Sequence, residues 1–132
     1  MSRDVTLILW ALLIFQLKHF LCDFVLQTQS QIDAKSHYGH PGGVVHAGLH
    51  CLGSLPALLI LSARPLPIGG LLIGEFLIHY HSDWAKARVD RRYALMNAQA
   101  RYWMVFGLDQ LIHQMTYVAM VFLVFYEGWA RV

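Results

Sequence analysis

Gly74-Glu75-Phe76-Leu77-Ile78-His79-Tyr80-His81-Ser82-Asp83-Trp84-Ala85-Lys86 closes an apolar run while carrying Glu75, His79 and Asp83 at steps of four. On a helix, side chains four apart lie along one face, so these three polar groups share a stripe. Working outward, each of the other apolar segments supplies a similar pair: His19 and Asp23, His46 and His50, Asp109 and His113. The spacing predicts helices throughout, and the fold class follows from how many of them cross a membrane.

The apolar fraction is 57% and only 14% of the 132 residues are charged, whereas soluble domains carry about a quarter charged residues. So short a chain cannot hide that much apolar surface in water. The solvent it implies is lipid. The length allows one domain, an integral membrane domain over residues 1–132, and a formal net charge of +2 is too small to imply a nucleic-acid partner. Cys22 and Cys51 both lie in apolar segments, which argues against a secreted disulfide framework and makes each a small buried filler. Met1-Ser2-Arg3-Asp4 precedes an apolar run that no small-residue cleavage site follows, so the run reads as a retained membrane helix and not a signal peptide.

Four stretches have the length to span, at residues 5–27, 43–63, 66–84 and 102–129, each near the roughly 20 residues that about 30 Å of hydrocarbon requires. Pro56 is expected to kink the second. His40-Pro41-Gly42-Gly43 marks a turn, and the short link from Ser62 to Pro67 makes the second and third spans a tight antiparallel hairpin. The fold expected is all-α: a four-transmembrane-helix antiparallel bundle with a polar His/Asp cluster near its cytoplasmic end. Lys35, Lys86, Arg88, Arg91, Arg92 and Arg101 lie in the first and third connections, against Arg3, Arg64 and Arg131 on the other side. The positive-inside rule therefore places both termini in the periplasm. Trp84, Tyr102 and Trp103 suit the cytoplasmic interface and Trp129 the opposite one, and the stretch from Lys86 to Arg101 reads as an interfacial helix touching anionic headgroups.

Antiparallel threading sets all four pairs at one depth. A charge at a helix centre costs about 2.5–3.5 kcal/mol on insertion scales, so eight polar groups would approach roughly 20 kcal/mol before interfacial depth and neutral imidazoles reduce it. Structural zinc returns about 10–16 kcal/mol, a comparable size. His19, Asp23, His46, His50, His79, Asp83, Asp109 and His113 are accordingly the candidate ligands of a divalent metal, zinc for preference, as one ion or two. The plainer alternative is an interhelical hydrogen-bond network. Glu75 reads as a ligand, a general base or a proton relay, and equally as a protonated acid bonded to a neighbouring helix. Gln27 and Gln110 are expected to orient ligands or to satisfy backbone groups. Lys18 is expected to snorkel to the interface, with phosphate binding as the lesser option. His81 points away from His79 towards the interface, and His37 and His40 are loop residues, solvated or capping the site.

His19-Phe20-Leu21-Cys22-Asp23-Phe24-Val25-Leu26-Gln27 resembles the His-x-x-x-Asp-Phe-x-x-Gln opening of small bacterial and phage membrane proteins catalogued as domain of unknown function 3307. His46-Ala47-Gly48-Leu49-His50, the stretch from His79 to Lys86, and Asp109-Gln110-Leu111-Ile112-His113 resemble the family's later motifs. The resemblance implies a bacterial inner membrane, or that of a phage-infected host, and no particular reaction. A looser similarity connects the chain with inner-membrane metal-dependent hydrolases. Three functions follow as expectations. One is a metal-dependent hydrolase acting on a lipid or lipid-linked ester or phosphoester, with Glu75 or Asp83 as proton acceptor. A second is a metal-ion or proton binding and transport protein, and a third is a metal-stapled structural protein. Membrane lipid is the expected partner, and a homo-oligomer is compatible with each.

Overall fold

A computed structural model describes residues 2–62 and 64–130. Ala63, the expected end of the second span, and Arg131, counted above on the outer side, lie outside the described residues, as do Met1 and Val132. Helix α1 covers Arg3–Phe20, its first turn capped by the Ser2 hydroxyl, which accepts from the Val5 N–H at 3.3 Å. It continues as a single π-helical turn, Leu21–Val25, closed by the Leu26 N–H on the Leu21 carbonyl at 2.8 Å. Helix α2 is short, Gln29–Ala34, and lies where the sequence suggests only a polar connection. The physical reason is a capping box: the Thr28 hydroxyl accepts from the Gln31 N–H while the Gln31 side chain accepts from the Thr28 N–H.

Helix α3, Pro41–Leu61, opens with Pro41 at its first position and the His40 ring accepting from the Gly42 N–H at 3.1 Å. His40 is thus a helix cap. The helix runs through Pro56 without a break. Helix α4, Pro65–Arg92, is longer than expected, because the interfacial stretch from Lys86 onward is its own continuation. No Gly or Pro interrupts positions 75–92, and Lys86 pairs with Asp90 at 2.8 Å one turn on. Helix α5 covers Ala100–Tyr126. Among the described residues the elements are all helical.

Among the described residues three helices are long and apolar enough to cross a membrane: Arg3–Val25, Pro41–Leu61 and Ala100–Tyr126. The sequence suggests four. Helix α4 has the length but not the composition, because Glu75, His79, Asp83 and the basic residues after Trp84 interrupt its apolar surface. Helix α1 packs against α3 and α5, and α4 against both α3 and α5. The apolar core takes Ala11 and Phe15 from α1, Ala57, Leu58 and Leu61 from α3, Ile68 and Leu71 from α4, and Tyr117, Met120, Val121 and Val124 from α5. Phe15 and Tyr117 stack at 5.0 Å within it. The polar residues lie in the other half of each helix. Large apolar side chains instead line the outside: Leu9, Leu13, Leu52, Met115 and Phe122 are all exposed, a distribution that water disfavours and lipid does not.

Where α1 meets α3, Gly53 lets the helices approach: a Cβ there would stand 3.2 Å from Lys18 Cβ. Gly53→Leu is expected to force α1 off α3 and destabilise the protein by about 1–3 kcal/mol, read as a lower midpoint in equilibrium unfolding from detergent.

Candidate metal centre

Lys18, His19 and Asp23 come from α1 and its π-turn, His46 and His50 from α3, Glu75, His79 and Asp83 from α4, and Asp109 and His113 from α5. The four-residue spacings turn each pair to the same face, and helix packing brings the faces together. Asp23 Oδ1 lies 3.0 Å from His46 Nε2 and 3.2 Å from His50 Nε2. Asp83 meets His46 at 3.3 Å and His79 at 3.4 Å through Oδ2, and His113 at 3.4 Å through Oδ1. Two sets of ligand atoms are close enough to share an ion: Asp23, His46, His50 and His79, and His79, Asp83 and His113, all within 4.8 Å of one another in each set. His79 is common to both.

His19 and Asp109, expected among the ligands, stand beside these sets. The His19 ring is held by Gln110 Oε1 at 2.8 Å and the Tyr117 hydroxyl at 3.0 Å, although Nε2 remains 3.3 Å from Asp23 Oδ2. Asp109 accepts from Ser82 Oγ at 2.8 Å and lies 3.7 Å from His113 Nε2.

The donor set suits a metal. Nitrogen–oxygen separations of 3.0–3.4 Å exceed the roughly 2.7–2.9 Å of a charge-assisted hydrogen bond. They match instead the spacing of about 3.4 Å that ligands 2.0–2.1 Å from a tetrahedral ion impose on one another. Asp23 Oδ2, His79 Nε2 and His113 Nδ1 are buried and make no hydrogen bond, a state that buried polar atoms seldom tolerate without a partner. Three imidazoles with one carboxylate, and two with one, are sets that zinc accepts.

The surroundings hold the ligands in place and correct two expectations. Lys18 does not snorkel. It is buried, with Nζ 2.5 Å from Glu75 Oε1 and 3.3 Å from His50 Nδ1, and its ammonium lies 4.3 Å from the Tyr117 ring centre. Ser54 also donates to Glu75 Oε1, at 2.8 Å. Glu75 therefore joins neither ligand set, and its engagement by Lys18 removes it as a free base. Asp83 is not spare either, since both oxygens face imidazoles and Oδ2 also takes Lys35 Nζ at 2.9 Å. Gln27, as expected, reaches a ligand: its Nε2 lies 3.1 Å from His46 Nδ1 and 3.0 Å from His46 Nε2. Cys22 is buried and Cys51 half-buried, both as free thiols. His37 contacts Arg91, and His81 hydrogen-bonds Tyr38 and the Leu77 carbonyl on the exposed surface.

Four contributors escape the sequence reading. Tyr117 extends the Asp109, His113 step by four more residues and is legible in hindsight. Ser54 falls one four-residue step beyond His50 in the same way. Ser82 and Lys35 carry no comparable signal.

The model of one family, described as a protein of unknown function (DUF3307), matches residues 8–131. The chain belongs to DUF3307. No curated protein and no solved structure matches it. The two ligand sets lie within the DUF3307 match, and so does the cavity onto which they open. That cavity, about 660 Å³, is lined by Asp23, Asp83 and Asp109 of the site and by Lys35, Lys86 and Arg91, with Lys35 Nζ 2.9 Å from Asp83. The imidazoles stand behind the carboxylates. In this DUF3307 chain Gln27 supports His46 from the cavity wall, and for a metal ion held by these groups Gln27→Ala is expected to weaken affinity by about 10- to 100-fold, as removal of a hydrogen-bond partner behind a ligand does. Competition with a chromogenic chelator measures it.

Proposed function

We propose that the protein is an integral-membrane, metal-dependent hydrolase of lipid or lipid-linked esters or phosphoesters. Its four long helices cross the bilayer as an antiparallel bundle, with both termini periplasmic and the His/Asp cluster near the cytoplasmic surface. The observation that carries the reading is the pair of ligand sets joined at His79 and opening onto a cavity through their carboxylates. Zinc held by Asp23, His46, His50 and His79, and by His79, Asp83 and His113, would supply Lewis acidity, lowering the pKa of water and polarising the ester.

The chain's own residues do the rest. Asp109, outside both sets and on the cavity wall, is the carboxylate placed to take a proton. Ser82 and Gln110 orient it. This replaces the expected roles of Glu75 and Asp83. Phe24, Ile32 and Phe106 give the cavity an apolar side suited to an acyl or isoprenoid chain arriving from the membrane.

Zinc analysis of detergent-purified protein, with turnover of a chromogenic phosphodiester and a fatty-acyl ester, tests the proposal. Chelation is expected to abolish turnover and zinc to restore it. Turnover that persists after the metal is stripped sinks the hydrolase. A second reading, metal-ion or proton binding and transport, draws support from Lys18, Glu75 and Ser54, which continue the polar path from His50 into the bundle. Zinc-dependent flux into proteoliposomes without turnover would favour it.

A further inference from the structure

We infer that the cavity over the ligand sets is a phosphate-binding mouth in which Arg91 grips the substrate's anionic group. The inference rests on the hydrolase reading and narrows its substrate to a phosphoester. Of the three basic side chains lining the cavity, two are already paired with carboxylates: Lys35 with Asp83 at 2.9 Å and Lys86 with Asp90 at 2.8 Å. Arg91 is different. Its Nη1 lies 3.0 Å from Ser36 Oγ and 3.1 Å from His37 Nε2, neither of them a carboxylate, and among the described residues it has no carboxylate within 4.0 Å. One edge of the guanidinium is thus anchored to the segment after α2 while its remaining N–H donors stay free on the cavity wall.

A planar, permanently charged fork with free donors matches the oxygens of a phosphate and has no counterpart in a neutral acyl ester. The carboxylates of the same lining, Asp23, Asp33, Asp83, Asp90 and Asp109, would repel such an anion unless cations offset them, so binding belongs to the zinc-loaded protein. A phosphate in the cavity would have both Arg91 and the carboxylate ends of the ligand sets on its walls. Lys35, tied to Asp83, stands beside the same opening.

The test uses zinc-supplemented protein in a maltoside detergent, which contains no phosphate. Calorimetric titration with glycerol 3-phosphate probes a soluble phosphoester, and titration with phosphatidic acid in mixed micelles probes a lipid headgroup. Saturable binding of either upholds the inference and identifies the source. Arg91→Gln is expected to weaken that binding by about 10- to 100-fold, the worth of hydrogen bonds to a charged group. Arg91→Lys, which keeps the charge without the fork, should fall between. Arg92→Gln makes the same charge change one residue on, outside the cavity lining, and is expected to bind as the parent does. The inference is overturned if neither probe binds, or if the Arg91 and Arg92 variants lose affinity equally, which would indicate bulk charge. Binding that depends on Arg91 in a protein without turnover keeps the inference and removes the hydrolase.

Discussion

On the proposed reading, a zinc hydrolase, His79→Ala is expected to strip the protein of all tightly held metal and to lower turnover by about 10³-fold or more. His79 is the one residue common to both ligand sets, so a single truncation leaves each set a donor short. The Lewis-acid contribution at stake is several kcal/mol, which converts to about three decades of rate. His113→Ala provides the contrast. It touches only the set of His79, Asp83 and His113, so zinc content should fall by one set while Asp23, His46, His50 and His79 keep theirs. Elemental analysis per protein, with helical content checked by circular dichroism, separates the two variants. An unchanged zinc content in His79→Ala would show that the imidazoles serve only to hydrogen-bond the helices to one another.

The second large effect concerns stability. Lys18 and Glu75 are both almost fully buried, at 6% and 1% side-chain exposure. Removing one partner leaves the other as an uncompensated charge, which costs about 3–5 kcal/mol, whereas replacing both with apolar groups of similar size is often neutral or stabilising. Lys18→Met alone and Glu75→Leu alone are each expected to lose that amount. The double variant should recover most of it, a strong departure from additivity. Equilibrium unfolding in mixed micelles measures all three. Small, additive losses would mean that the pair is solvated and not an internal ion pair.

The ligand sets are legible in the sequence because a helix repeats its face every four residues, so His46 with His50 and His79 with Asp83 declare themselves without knowledge of their neighbours. The family is legible for the same reason, through motifs read within single helices. What the sequence hides is tertiary. Lys18 sits near a helix end, where an outward reach is the ordinary behaviour of lysine; only the packing of α1 and α4 against α3 and α5 shows Glu75, 57 positions along the chain, as its partner. Lys35 is similar, since nothing local links it to Asp83. Helix α2 was hidden in a different way: its capping signature, Thr28 with Gln31, is written in the sequence but is short and lacks an apolar stripe. The apolar count also misleads in α4, where length reads as a span although the polar stripe that builds the site dilutes it.

The π-turn at Leu21–Val25 has a bearing on how the first helix delivers its groups. A wider turn takes up more residues for the same advance, so it behaves as an expansion joint between two straight lengths of chain. Upstream, Phe15 is committed to the apolar stack; downstream, Gln27 is committed to His46. The joint lets both commitments be met by one continuous segment, with Asp23 carried on the slack itself, so tightening that single loop of backbone would detune the inner lining and the outer brace together.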